Sequence, residues 1–194
     1  MATTLDATVG GASANSYATL AQASAYVDTL VPSTTQDTWL DAGDEDQARA
    51  LIMATRLLDS WYDWNGSVTS LSQALLWPRR GVLRPGVSEG QVTSGASNPW
   101  HTPFGTLLPE DEIPELLLDA VSELARQLLA GDRTADSDTE TQGIESLKAG
   151  SIELAFRAGV TAKVIPDAVA SFLNALGRIK GRYGSGGAVD MRRA

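Results

Sequence analysis

The sequence predicts a mainly α-helical fold: a small four-helix bundle with a β-hairpin insertion, one long irregular loop and an extended C-terminal tail. Two observations predict this fold class. Apolar residues recur at helical spacing in four stretches, and one further stretch alternates apolar and polar residues as a half-buried strand does. The length of 194 residues is enough for one compact domain with a hydrophobic core.

The first two predicted helices lie in the N-terminal third of the chain. The first runs from about Thr19 to Leu30, with Thr19 as its N-cap. The second runs from about Asp44 to Trp64 and opens with three acidic residues, which complement the positive end of the helix dipole. Asn65-Gly66 is expected to end it in a left-handed turn.

The third and fourth predicted helices both begin with a proline in the first turn. Pro114 and Pro166 each precede an acidic residue and a stripe of apolar residues. Gly131 is expected to end the third helix and Gly181 the fourth, since glycine is the usual residue beyond a helix C-terminus.

Two other segments complete the predicted fold. Residues 144–148 and 152–156 should form a hairpin around Ala149-Gly150, and an isolated hairpin needs helices or a neighbouring subunit to pack on. Residues 79–109 hold five glycines and four prolines without periodicity, which is typical of a functional loop. We predict a helical domain over residues 1–181, with the loop at 79–109 and the hairpin region at 144–164, and a flexible basic tail over residues 182–194.

The composition argues against an enzyme. There is no cysteine, and His101 is the single histidine, so a thiol nucleophile and a histidine-rich metal site are excluded. No phosphate-binding glycine loop or dinucleotide motif is present. We therefore predict no catalytic residues, no cofactor and no metal. No apolar run approaches the roughly 18 residues of a membrane span, and the N-terminus lacks signal-peptide features, so we expect a soluble, intracellularly made protein with no membrane contact.

Charge is unevenly distributed along the chain. The 15 basic and 24 acidic residues give a net charge of −9, which disfavours general nucleic-acid binding. Residues 178–194 carry five cations against one acid, namely Arg178, Lys180, Arg182, Arg192 and Arg193 against Asp190. This basic end could be an inert solvated terminus, an arm that neutralises DNA phosphates, or a peptide that docks on a partner. We favour docking.

The five tryptophans also have two interpretations. Trp61, Trp64 and Trp77 lie within 17 positions of one another. Packing in the core is the interpretation that we favour. A base-stacking platform would need neighbouring cations, and only Arg79 and Arg80 qualify near Trp77.

Three groups of residues resemble, in the same order, the head–tail connector adaptors of tailed bacteriophages. They are Asn15-Ser16-Tyr17 with Thr19-Leu20, Ala23 and Tyr26; Ala50-Leu51-Ile52 with Ala54-Thr55-Arg56 and Leu58-Asp59; and Gln73-Ala74-Leu75 with Trp77-Pro78-Arg79, followed by Ile113-Pro114. Together they cover about residues 13 to 160. Relatives of this kind are also often described as DnaT-like single-stranded-DNA-binding proteins.

The resemblance implies a structural role in the virion, at the neck between head and tail. It implies a twelvefold homo-oligomeric ring below the portal protein, joined to a neck or tail-completion protein, with DNA passing through its channel without specific binding. Docking on the portal is assigned to Arg178, Lys180, Arg182, Arg192 and Arg193. Packing of the family motifs is assigned to Tyr17, Tyr26, Trp77, Pro78 and Arg79.

The alternative hypothesis is a single-stranded-DNA-binding replication protein. Its affinity for DNA should fall steeply with salt, because phosphate contacts release counterions. Replacement of Trp77 and Arg79 should weaken it.

Overall fold

The computed structural model describes residues 3–87, 106–131, 146–149, 152–155 and 163–180. Within these ranges lie five helices and six short strands. The helices are α1 (Leu20–Asp28), α2 (Thr34–Asp41), α3 (Asp44–Trp61), α4 (Glu115–Ala130) and α5 (Asp167–Leu173). The strands are β1 (Tyr62–Trp64), β2 (Ser67–Val68), β3 (Arg79–Arg80), β4 (Ser146–Ala149), β5 (Ile152–Ala155) and β6 (Gly177–Ile179). The predicted tail and the middle of the predicted loop, residues 88–105, lie outside the described residues.

Helix α4 is the centre of the fold, because α1, α2, α3 and α5 all pack against it. It begins after Pro114, as predicted, and Leu117, Ala120 and Leu124 on its inner side are fully buried. These residues recur every three or four positions, so one stripe of the helix faces its neighbours. Gly131 follows its last residue, also as predicted.

The mainly helical prediction is confirmed, but the described residues hold five helices rather than four. Helix α1 has the predicted N-cap, where Thr19 and Gln22 form a reciprocal capping box. The missed helix is α2, which Ser33 caps by accepting a hydrogen bond from the Gln36 backbone. Only eight residues long and mostly polar, α2 shows too little apolar periodicity for detection, although its Trp39 is fully buried.

Two helices end earlier than predicted. Helix α3 stops at Trp61 and the chain continues as β1, while α5 stops at Leu173 and is followed by β6. The physical reason is the same for both, because β1 and β6 pair with each other in antiparallel fashion. This long-range pairing replaces the helical hydrogen bonds that the local pattern favours.

A glycine allows the β1–β6 ribbon to form. A Cβ on Gly177 would lie 2.7 Å from the carbonyl oxygen of Asp63 and 3.0 Å from the ring of Trp64. Any larger residue would therefore push β6 away from β1. Gly66, at φ +68°, turns the chain between β1 and β2 instead of ending a helix as predicted.

The predicted hairpin is confirmed. Strands β4 and β5 are antiparallel, with Ala149 opposite Ile152, so Ala149 lies in the first strand and not in the turn where the sequence places it. The predicted long loop is structured at both ends. It begins with β3, which pairs with β2, and Leu83 forms a bridge with Leu107. Among the helices of the described residues, none is both long and apolar enough to cross a bilayer.

Arg79 holds the turn between β1 and β2 in place. Its guanidinium donates hydrogen bonds to the carbonyl oxygens of Asn65 at 2.6 Å, Gly66 at 2.7 Å and Leu76 at 3.0 Å, and a longer one of 3.4 Å to that of Trp64. Five donors in a planar fork allow one side chain to serve several carbonyls. Arg79 therefore joins β1, the turn after it and the loop before Trp77.

We expect Arg79→Ala to lower the free energy of unfolding by about 1–2 kcal/mol, because these carbonyls lose a charged donor. Arg80→Ala is the matched control. Arg80 is exposed, and within the described residues its side chain makes one hydrogen bond, to the Ser67 hydroxyl, so its loss should change stability by less than about 0.5 kcal/mol. Urea unfolding followed by circular dichroism measures both, and equal effects of the two substitutions would contradict this role of Arg79.

Candidate nucleic-acid interface

The last turn of α3 carries a largely buried carboxylate that joins three segments of the chain. Asp59 accepts hydrogen bonds from the Tyr17 hydroxyl at 2.6 Å, the Trp64 indole at 3.1 Å and the Leu76 backbone amide at 3.2 Å. These donors come from the N-terminal loop, from β1 and from the loop before β3. The carboxylate therefore fixes the C-terminal end of α3 relative to all three.

Burial and hydrogen bonding act on Asp59 in opposite directions. Burial raises the pKa of the Asp59 carboxyl above its usual value, and this is the larger effect. The hydrogen bonds from Tyr17, Leu76 and Trp64 lower that pKa, because they favour the ionised form. The pKa of Tyr17 is raised, first by burial and then by the adjacent Asp59 charge, so this phenol stays protonated as a donor.

The aromatic rings next to Asp59 form a buried cluster. Tyr62 stacks on Trp64 with ring centroids 4.9 Å apart, and Trp77 meets Trp64 edge to face at 5.9 Å. Trp77 is only 1% exposed, and Pro78 beside it is buried after a cis peptide bond. Since Arg79 is held by backbone carbonyls, neither Trp77 nor Arg79 is available to stack on a base. The alternative hypothesis, in which these two residues contact DNA, therefore finds no support at this position.

Tyr26, the remaining residue of the packing assignment, lies against α4. Its hydroxyl donates to the Glu123 carboxylate at 3.3 Å, and Arg126 pairs with the same carboxylate at 2.7 Å. Tyr26 therefore takes part in a satisfied polar contact between α1 and α4.

One face of the β1–β6 ribbon points away from this cluster. The register places Tyr62 opposite Ile179 and Asp63 opposite Arg178. The next pair along the ribbon is Trp61 with Lys180, whose backbone amide donates to the Trp61 carbonyl at 2.7 Å. Side chains that are directly opposite in a ribbon share a face, so Asp63 and Arg178 lie on one side. Trp61, the last residue of α3, and Lys180 lie next to them at the end of the ribbon. All four are exposed, and we call the surface that they form the outer ribbon face.

Lys180 fixes the outer ribbon face to the end of α3. Its ammonium group donates hydrogen bonds to the backbone carbonyls of Ser60 at 2.9 Å and Asp59 at 3.3 Å. A cation is favourable there, because the last carbonyls of a helix carry partial negative charge. The contact places a positive charge beside Trp61.

Trp61 differs from the other tryptophans that the structure describes. It is 41% exposed, whereas Trp39, Trp64 and Trp77 are 0%, 8% and 1% exposed. The sequence favoured packing in the core for Trp61, and this interpretation is wrong because α3 ends at Trp61 and leaves its side chain exposed. No local pattern indicates the pairing of residue 61 with residue 180, because the contact joins segments that are distant in sequence.

Of the five residues assigned to portal docking, the structure describes two. Arg178 and Lys180 lie on β6 and at its end, on the outer ribbon face. Arg182, Arg192 and Arg193 lie outside the described residues. Within the part of the chain that is described, no group of three or more His, Cys, Asp or Glu side chains could hold a metal ion.

Comparison with known protein families matches the N-terminal part of the chain. A family model described as "Putative DnaT-like ssDNA binding protein" matches residues 1–93. No curated protein and no solved structure matches the chain. Over its first 93 residues, which include α3 and Trp61, the chain is thus similar to this family.

This match corrects the interpretation of the sequence resemblance. The chain is similar to a family described by single-stranded-DNA binding, and no comparison supports a head–tail connector adaptor. The predicted connector function is therefore wrong, as are the portal and neck partners, the twelvefold ring and the passage of DNA without binding. The virion location came from the same resemblance, and no observation tests it.

We expect Tyr17→Phe to destabilise the protein by about 1–2 kcal/mol at neutral pH, because an ionised carboxylate loses a donor. The loss should shrink as the pH falls through the pKa of Asp59, since this hydrogen bond favours the charged form and protonation removes that preference. Urea unfolding at a series of pH values measures the effect.

Asp59→Asn provides the control for this prediction. In an Asp59→Asn background there is no titrating group at this position, so Tyr17→Phe should have an effect that does not vary with pH. In the wild-type background, the destabilisation by Tyr17→Phe should decrease as the pH falls. A destabilisation that stays constant, or that grows as the pH falls, would contradict the described role of Asp59.

Proposed function

We propose that this protein binds single-stranded DNA and that the outer ribbon face is the contact surface. The observation that carries the proposal is the position of Trp61. It is an exposed indole with Lys180 as its cross-strand neighbour and Arg178 on the same face. The similarity of residues 1–93 to a family described by single-stranded-DNA binding supports the same conclusion.

The chemistry of the face suits a single strand. Unpaired bases expose their rings, and stacking on an aromatic side chain contributes about 1–3 kcal/mol per base without regard to sequence. Arg178 and Lys180 provide positive charge for the phosphates between the bases. The backbone contacts of Lys180 and the buried carboxylate of Asp59 hold Trp61 in position before DNA arrives, so little ordering is needed on binding.

Charge limits where DNA can bind. Residues 1–177 hold 10 basic and 23 acidic residues, whereas residues 178–194 hold five basic and one acidic. Most of the chain therefore repels phosphate, and the basic end begins on the outer ribbon face at Arg178. Of the three interpretations of this end, we favour the arm that neutralises DNA phosphates.

We further propose that the protein acts by binding alone, without catalysis and without a cofactor. The single histidine and the absence of cysteine from the sequence support this proposal.

We expect Trp61→Ala to weaken binding of a labelled single-stranded oligonucleotide about tenfold at low salt, because one stacked base loses its platform. Fluorescence anisotropy measures the dissociation constant, and circular dichroism verifies that the variant is folded. Leu40→Ala is the matched control, since Leu40 is an apolar side chain on α2 that is 54% exposed. Unchanged affinity of Trp61→Ala would contradict the proposed surface, and no binding by the wild type at low salt would contradict the proposed function.

We expect Arg178→Gln to reduce the salt dependence of binding. Each phosphate contact contributes about 0.7 to the slope of log affinity against log salt for a single strand, so the slope should fall by about that amount. Arg49→Gln is the control, because Arg49 pairs with Glu45 and Asp46 near the start of α3. Equal slopes for wild type and Arg178→Gln would exclude a phosphate contact at Arg178.

A further inference from the structure

The outer ribbon face carries one acidic side chain among its cations. Asp63 is exposed, lies two residues after Trp61 and is directly opposite Arg178 in the ribbon register. Within the described part of the chain, its carboxylate makes no hydrogen bond and no ion pair. Its two oxygens are therefore open to a ligand on this face.

A free carboxylate on a DNA-binding surface repels phosphate, so its favourable ligands are the N–H groups of the bases. Trp61 ends α3 and Asp63 lies two residues later in β1, so their Cα atoms are at most about 7 Å apart. A base stacked on Trp61 is therefore within reach of the Asp63 carboxylate. Arg178 lies opposite Asp63 in the ribbon. Its positive charge reduces the repulsion between the Asp63 carboxylate and the DNA phosphates.

We propose, on the basis of the function proposed above, that Asp63 selects bases with an exocyclic amino group and favours cytosine over uracil or thymine. The N4 amino group of cytosine donates a hydrogen bond, and a carboxylate accepts it. Uracil and thymine carry the O4 carbonyl oxygen at that position, and two acceptors repel each other. Cytosine and uracil have rings of the same size, so their comparison isolates this contact from stacking.

The test compares oligo(dC) with oligo(dU) of about 15 nucleotides, a length within the range of single-strand sites. We expect wild-type protein to bind oligo(dC) about fivefold more tightly than oligo(dU) in fluorescence anisotropy at neutral pH. In Asp63→Asn this ratio should fall below about twofold, because an amide can donate to O4 as well as accept from N4. The affinity for oligo(dU) should rise in the variant, since a negative charge is removed from the surface and no favourable contact is lost.

Asp28→Asn is the control variant, because Asp28 is an exposed acid at the end of α1. It removes the same charge and should leave the dC to dU ratio unchanged. A wild-type ratio near one, or a ratio that Asp63→Asn does not change, would overturn the selection by Asp63 while leaving DNA binding intact. Failure of both oligonucleotides to bind wild-type protein would instead contradict the proposed function itself.

Discussion

The buried carboxylate of Asp59 determines where the last turn of α3 lies, and the candidate interface depends on that position. Three donors from separate segments converge on it, and Lys180 binds the carbonyl oxygens of the same turn from outside. A partly desolvated charge is tolerated because each oxygen is hydrogen-bonded. Trp61 follows two residues later, so the same contacts fix the position of its backbone. The point at which the exposed indole leaves the surface is therefore determined by contacts that lie in the interior.

Neighbouring aromatic residues thus have different roles because α3 ends at Trp61 and the chain continues as β1. Tyr62 and Trp64 point inward and pack with Trp77, whereas Trp61 remains outside. Arginines divide in the same way, since Arg79 is held by internal carbonyls and Arg178 lies on the exposed face. A residue type that suits DNA is therefore not enough to locate an interface. The side of the ribbon on which a residue lies decides whether its side chain can contact single-stranded DNA.

Elements with local signals were predictable from the sequence. Thr19 caps α1, Pro114 precedes α4, and the alternation near Ala149 produces a hairpin. The β1–β6 ribbon could not be predicted, because three-residue strands have almost no pattern and their partners are more than a hundred residues apart. Trp61 was consequently counted as a packing residue, and the alternative DNA-binding hypothesis named Trp77, which is buried. The functional prediction failed for a related reason. The resemblance rested on residues such as Tyr17 and Arg79, which stabilise the fold and carry no information about the partner.

The central claim is that Trp61 contacts the bases of single-stranded DNA. The most direct test follows the indole N–H signals of ¹⁵N-labelled protein by NMR while an oligonucleotide is added at low salt. The account predicts that the Trp61 signal shifts in proportion to the bound fraction, while the signals of Trp39 and Trp77, whose rings are buried, change little. A titration in which the oligonucleotide binds but the Trp61 signal does not move would contradict the account.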